Sequence, residues 1–252
     1  MTEIPPFKPR RRQAETPELA QQAEALLALG GGRAAPWLPP VAPGDWEEPR
    51  CDEGIALLTA VLAAGFGHLV PAARALRLHR PGFYDGVVLL EVQAGPPPAE
   101  AWGASLLFAI GGDFVAHFDG AAPVVHAIRA RAVVRLEDFA QVWAYLRFFG
   151  NVVCGEDGAF LVVEAPSDLP PWEPSPVVSR IIEGTLDDLW LDGRSADGGW
   201  EVSGVVLYSC ALFKVRFRVE ADGRVEMLDD DPLAADLPIR RVGIVGGERR
   251  LW

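Results

Sequence analysis

Cysteine occurs only three times in this 252-residue chain, at 51, 154 and 210, with no CxxC spacing. An odd number of such distant cysteines does not make a closed disulfide framework, so a reducing cytoplasm is the expected compartment. Histidine is nearly as scarce. The four, at 68, 79, 117 and 126, form no HExxH or HxH pattern, and none stands at metal-ligand spacing from a cysteine. Glycine is plentiful, yet neither GxGxxG nor GxxxxGK[ST] occurs, which removes the usual phosphate-cradling loops. GxSxG is missing too, and with it the common serine-hydrolase elbow. No cofactor or metal ion is expected.

Positive charge is in deficit, with a formal net charge of -12. Such a body repels phosphate, which disfavours binding to nucleic acid. Long apolar runs are also missing. The most apolar helical stretch, Gly54 to Val70, is 17 residues long, is broken by glycines and is followed by Pro71. It is at the short limit for a membrane span, so it reads as a core helix and no membrane role is expected. The opening "MTEIPPFKPRRR" has prolines and charge where a secretory leader needs an apolar stretch.

Half of the residues are apolar, enough to bury a substantial core. The expected class is α+β: N-terminal helices, a central antiparallel sheet with a buried helix, and a C-terminal antiparallel meander. Residues 1–16 read as an extended basic arm, because Pro5, Pro6 and Pro9 deny a helix. Residues 17–50 read as a helix, started by Pro17 and Glu18 and stopped by "GGG", followed by a proline-rich linker that wraps the body. Residues 51–165 form an α+β domain, with Asp52 expected to cap a helix reaching about Ala64. "PAARALRLHR", Pro71 to Arg80, reads as a short helix with a basic face. Period-two alternation then predicts strands in Asp85 to Gly95, Trp102 to Gly120 and Pro123 to Leu136.

Phe139, Val142, Trp143, Leu146 and Phe149 recur at helical spacing, with Glu137 and Asp138 before them and Gly150 as the expected stop. Tyr145 and Phe148 fall off that stripe, which predicts a helix buried on more than one side. "APSDLPPWEPSP", Ala165 to Pro176, is the best candidate boundary. Beyond it residues 177–252 are β-rich, and the sequence leaves open whether they belong to the same domain. Phe213, Val215, Phe217 and Val219 alternate with Leu212, Lys214, Arg216 and Arg218, and "ADGR" marks a hairpin turn.

Few residues carry chemistry. Cys154 has Glu156 and Asp157 beside it and a helix C-terminus pointing at it, both of which oppose a thiolate, so it reads as a small buried residue. His117 and Asp119 stand two apart on an expected strand, and with His126 and Cys154 they form the one candidate catalytic group. Asp187 and Asp188, and the run Asp229, Asp230 and Asp231, lack the DxDxDG loop and read as solvated turns. The remaining candidates are for partner contact: Lys8, Arg10, Arg11 and Arg12 give the first twelve residues a local charge of +3, leaving -15 on the remainder. Trp37 and Trp46 are aromatic anchors in the wrapping linker.

The expected function is therefore a non-catalytic protein-interaction module, an adaptor, inhibitor or accessory subunit, contacting another protein in part through the arm. The alternative is a small ligand-binding protein or hydrolase-like enzyme with a pocket near His117, His126 and Cys154. A third possibility is anchoring to a polyanion through Lys8 to Arg12, whose binding would be salt-sensitive.

Overall fold

A computed structural model of the chain describes residues 8–9, 17–29, 35–94, 104–170, 176–186, 190–195 and 198–252. Of the N-terminal arm, β1 (Lys8–Pro9) is extended and pairs through its backbone with a strand met below. Arg10, Arg11, Arg12 and the "GGG" stop lie outside the described residues. The first helix, α1 (Pro17–Leu29), begins at the expected proline and buries Ala23 and Leu26. In α2 (Cys51–Ala63) the cap position is Arg50 and makes no side-chain cap bond. Asp52 lies one step further in, within the first turn, where its charge meets the positive end of the helix dipole instead of capping a backbone N–H.

The first sheet follows: β2 (Ala73–His79), β3 (Val88–Ala94), β4 (Leu106–Ile110) and β5 (Phe114–His117), all antiparallel, in the order β1-β5-β4-β3-β2. The expected helix at Pro71 to Arg80 is thus a strand. Its alternation settles the matter once β3 is beside it: Leu76 and Leu78 lie opposite Val92 and Leu90, while Arg77 lies opposite Glu91. A helix there would have buried arginines with no partner.

The opposite correction applies at Pro123 to Leu136, expected as a strand. Residues Ala122–Arg129 form α3, which has a proline in its first turn and buries Val124, Val125 and Ile128. Those three fall on one face at helical spacing, a pattern the alternation of valines and arginines had masked.

Helix α4 (Phe139–Val152) is capped by Asp138, whose Oδ1 accepts the Gln141 N–H at 2.9 Å. It is buried on several sides, through Val142, Tyr145, Leu146, Phe148 and Val152. Gly150 does not stop it. A Cβ there would stand 2.2 Å from the Phe160 carbonyl oxygen, and the Gly150 carbonyl accepts the Phe160 N–H at 2.8 Å. The glycine lets the helix backbone press against the next strand segment.

Short strands β6 (Cys154–Gly155) and β7 (Gly158–Ala159) form a hairpin that leads into β8 (Leu161–Val163). After α5 (Pro176–Thr185) come β9 (Trp190–Arg194), β10 (Trp200–Tyr208), β11 (Ala211–Val219) and β12 (Val225–Ala234). The second sheet has the order β12-β11-β10-β8, with β9 also paired to β10. Strand β8, before the proline-rich stretch at 165–176, therefore shares a sheet with strands after it. A final hairpin joins β13 (Val242–Val245) to β14 (Glu248–Leu251).

The layers follow from which face each apolar set occupies. Leu58 and Val61 of α2 pack with Leu90, Val92 and Phe108 on the outer face of the first sheet. Its inner face, through Leu89, Leu107 and Ala109, meets α3, α4 and the second sheet's Val202, Val206 and Val215. Ile182 of α5 and Leu251 cover the second sheet's other face beside Leu161 and Leu207. Among the described residues, no helix is long and apolar enough to cross a membrane.

Candidate functional site

Strand β3 alternates, so Leu90 and Val92 face α2 while Leu89, Glu91 and Gln93 face inward. At Leu89 that inner face is apolar; from Glu91 onward it is polar. Glu91 is fully buried, accepts from Arg77 Nε at 2.7 Å, Ser105 Oγ at 2.5 Å and Arg249 Nη1 at 3.3 Å, and is ion-paired with Arg77 Nη2 at 2.5 Å. Two buried cations share one carboxylate. Burial pulls the Arg249 guanidinium down from its ordinary value, with Arg77 acting the same way and Glu91 opposing.

The proline-rich segment from Ala35 to Glu47 covers this polar end. Proline carries no N–H, so the segment mainly presents carbonyls, and the sheet supplies donors. Arg77 Nη2 donates to Leu38 O at 2.9 Å, Arg249 Nη2 to Pro39 O at 2.5 Å and His79 Nδ1 to Asp45 O at 2.8 Å. The Gln93 amide both accepts from Ala35 N and donates to Ala35 O. Trp37 and Trp46 lie against Arg77, 4.6 and 4.9 Å from ring centroid to guanidinium carbon, and Trp46 also stacks on His79. Both tryptophans are thus engaged by their own chain.

Next to this cluster is a cleft of about 90 Å³. Arg249, Asn151, Ser167 and Asp168 are among its polar lining residues, and Pro39, Leu161 and Val242 among its apolar ones. Arg249 is 1% exposed, and among the described residues its buried Nε has no hydrogen-bond partner. Arg147, also on the lining, donates to Glu164 and Asp168.

A different surface occupies the edge of the second sheet. Strand β12 is ten residues long, mostly exposed, and among the described residues no strand pairs with its outer side. Met227 is 42% and Leu233 39% exposed. Across the sheet, Asp229 lies opposite Arg216 and Asp231 opposite Lys214, so each of these carboxylates has a cation at the facing register position. Asp230 lies opposite Val215 instead, and lines a shallow depression of about 70 Å³ together with Phe160, Tyr208, Phe213 and Met227. Phe160 and Tyr208 stack there at 4.4 Å.

The residues first considered for catalysis have separate duties. Cys154 Sγ accepts the Ile244 N–H at 3.3 Å, its own N–H donates to Gly120 O, and burial raises its thiol pKa. His117 shares a hydrogen bond with Gly247 O at 2.9 Å, and burial lowers its pKa. Asp119 Oδ1 accepts from Ala121 N as the chain enters α3. His126 lies on α3, its pKa lowered by burial and then by Arg129. Among the described residues, no hydrogen bond or ion pair joins any two of these four. Nor does any group of three or more His, Cys, Asp or Glu side chains there converge to hold a metal ion.

Arg77, Glu91, Ser105 and Arg249 escaped the sequence reading. One signal was present: a single carboxylate inside the apolar run "VVLLEV", which a buried strand tolerates only when the charge is paired. No known protein family, curated protein or solved structure matches the chain.

Proposed function

We propose that the protein is a non-catalytic interaction module that receives an extended, basic segment of another protein along the edge of β12. The observation that carries this reading is the long exposed edge itself, with Asp230, which no ion pair engages among the described residues, beside an aromatic depression. An unpaired edge offers main-chain donors and acceptors to an added strand, and alternate side chains of that strand enter pockets on the sheet face. Here the depression suits an apolar side chain and Asp230 a cation one or two residues away. The bulges in the β11–β12 ladder and Pro232 limit self-pairing, as does repulsion between two acidic edges. The three free cysteines, Cys51, Cys154 and Cys210, agree with a reducing cytoplasm as the place of work.

The test uses a fluorescent peptide of about ten residues alternating arginine with leucine. Anisotropy should show salt-sensitive binding that disappears when glutamate replaces arginine. Asp230→Lys, at an exposed position that leaves the core untouched, should weaken it about tenfold or more. Hydrogen exchange should show new protection of the β12 amides. Equal binding by Asp230→Lys, or protection confined to another strand, would discard the proposal.

A further inference from the structure

We infer that the depression beside Asp230 recognises a methylated ammonium group, as carried by a trimethyllysine side chain. Two chemistries meet in its lining. Side chains alternate along a strand, so Tyr208, Phe213, Val215 and Asp230 fall on one face of the second sheet, and the pairing of β8 with β10 brings Phe160 alongside Tyr208. Lys214 and Arg216 fall on the other face. Among the described residues Asp230 is the one charged group on the lining, and no ion pair engages it. Phe160 stacks on Tyr208 with the ring planes 7° apart, and among the described residues no other ring packs on Tyr208 or on Phe213. Aromatic ring faces attract a cation, and a carboxylate at the rim adds to that attraction.

The walls are held in place without a ligand. Tyr208 Oη accepts the Asp157 N–H at 3.2 Å, and the Phe160 N–H donates to Gly150 O at 2.8 Å, so binding has little left to order. An unmethylated ammonium brings three N–H groups and a tight hydration shell, whereas Asp230 is the one side-chain acceptor on the lining besides the engaged Tyr208 hydroxyl. Desolvating such a group there leaves donors unmade. A trimethylammonium has no N–H to satisfy; its methyl groups pack on Val206, Val215 and Met227 while its charge meets the rings and Asp230. A neutral leucine leaves Asp230 without a counter-charge. At about 70 Å³ the depression takes about three non-hydrogen atoms, by scaling from a cavity of about 150 Å³ that takes benzene. That is the leading part of the head group, and the rest stays at the rim, where Asp230 is exposed. This inference deepens the reading of the β12 edge and rests on it for the carrier, since strand addition there brings a side chain of the added segment over the depression.

The experiment titrates the isotope-labelled full chain with choline chloride at constant chloride concentration and follows amide chemical shifts. Dimethylbutanol, with carbon in place of nitrogen, serves as the neutral isostere, and ethanolamine as the unmethylated cation. Choline should give saturable shifts at Val206, Tyr208, Phe213 and Asp230, with a midpoint on the order of 10 mM for so small a ligand. The two controls should give none. Asp230→Asn, at an exposed position, and Phe213→Leu, which keeps apolar bulk but removes a ring, should each raise the midpoint at least about threefold. The carrier is identified with the arginine–leucine peptide designed for the β12 edge, its central leucine replaced by lysine or trimethyllysine; trimethyllysine should bind at least about fivefold more tightly than lysine. If neither peptide binds while choline does, the edge reading falls and a free quaternary ammonium is the ligand of this site. If both peptides bind equally and choline shifts nothing, the edge reading stands and this inference falls. Equal shifts with dimethylbutanol or ethanolamine, shifts confined to another surface, or an unchanged midpoint in Asp230→Asn would each overturn it as well.

Discussion

Replacing Glu91 by glutamine keeps its shape and removes its charge, which isolates the electrostatic role of the buried cluster. In the native fold the Glu91 side chain is fully buried, and the partner side chains, Arg77 and Arg249, are 10% and 1% exposed. After the substitution two guanidiniums remain buried with no counter-charge between them. Breaking a buried pair on one side costs about 3–5 kcal/mol, because the leftover charge stays desolvated. At about 2–4 °C per kcal/mol for a chain of this size, the melting temperature should fall by about 10 °C or somewhat more. Urea unfolding of wild type, Glu91→Gln, Arg249→Met and the double variant closes a thermodynamic cycle. The double variant should be much less destabilised than the sum of the singles, since it removes both members of the strained contact. A loss below about 1 kcal/mol in Glu91→Gln, or additive singles, would refute the idea that this cluster is electrostatically coupled.

Gly150→Ala should destabilise by about 3 kcal/mol, because the new methyl group meets the Phe160 carbonyl and not a movable side chain; chemical denaturation measures it. Burial lowers the pKa of both His117 and His126, so the unfolded chain binds more protons than the folded one below about pH 6.5. Stability is then complete above that value and declines as pH falls toward the lowered folded values. Denaturation midpoints between about pH 7.5 and about pH 5 should show the decline, and His117→Gln, which retains a donor for Gly247, should flatten it. Cys51 is exposed, whereas Cys154 is partly buried with a raised thiol pKa. Iodoacetamide labelling followed by mass spectrometry should therefore modify Cys51 well before Cys154, and the reverse order would contradict the structural role assigned to Cys154.

Elements whose periodicity reports their own surroundings were legible in the sequence. The helix at Phe139 carries its cap, its stripe and its surplus aromatics in one continuous stretch, and the β10–β12 meander announces itself by strict alternation around "ADGR". The errors arose where local pattern is ambiguous. Arginines every third residue in "ARALRLHR" suit a helix until β3 supplies Glu91 opposite Arg77, and valines in "PVVHAIR" suit a strand until the core demands one face.

Sequence alone determined the class of the molecule: an acidic α+β protein with antiparallel sheets, a buried helix and a proline-rich segment laid over its body. Composition and short-range period suffice for that, because apolar residues recurring at spacings of two, or of three and four, put one apolar face on a strand or a helix whatever that face later packs against. Only the tertiary structure decided that Arg249, 158 residues from Glu91, shares its carboxylate with Arg77. It also decided that a glycine in α4 permits close backbone contact and that four titratable candidates go to separate tasks. Those outcomes depend on which distant groups exclude water from one another, and desolvation is a property of the assembled core that no short window of sequence contains.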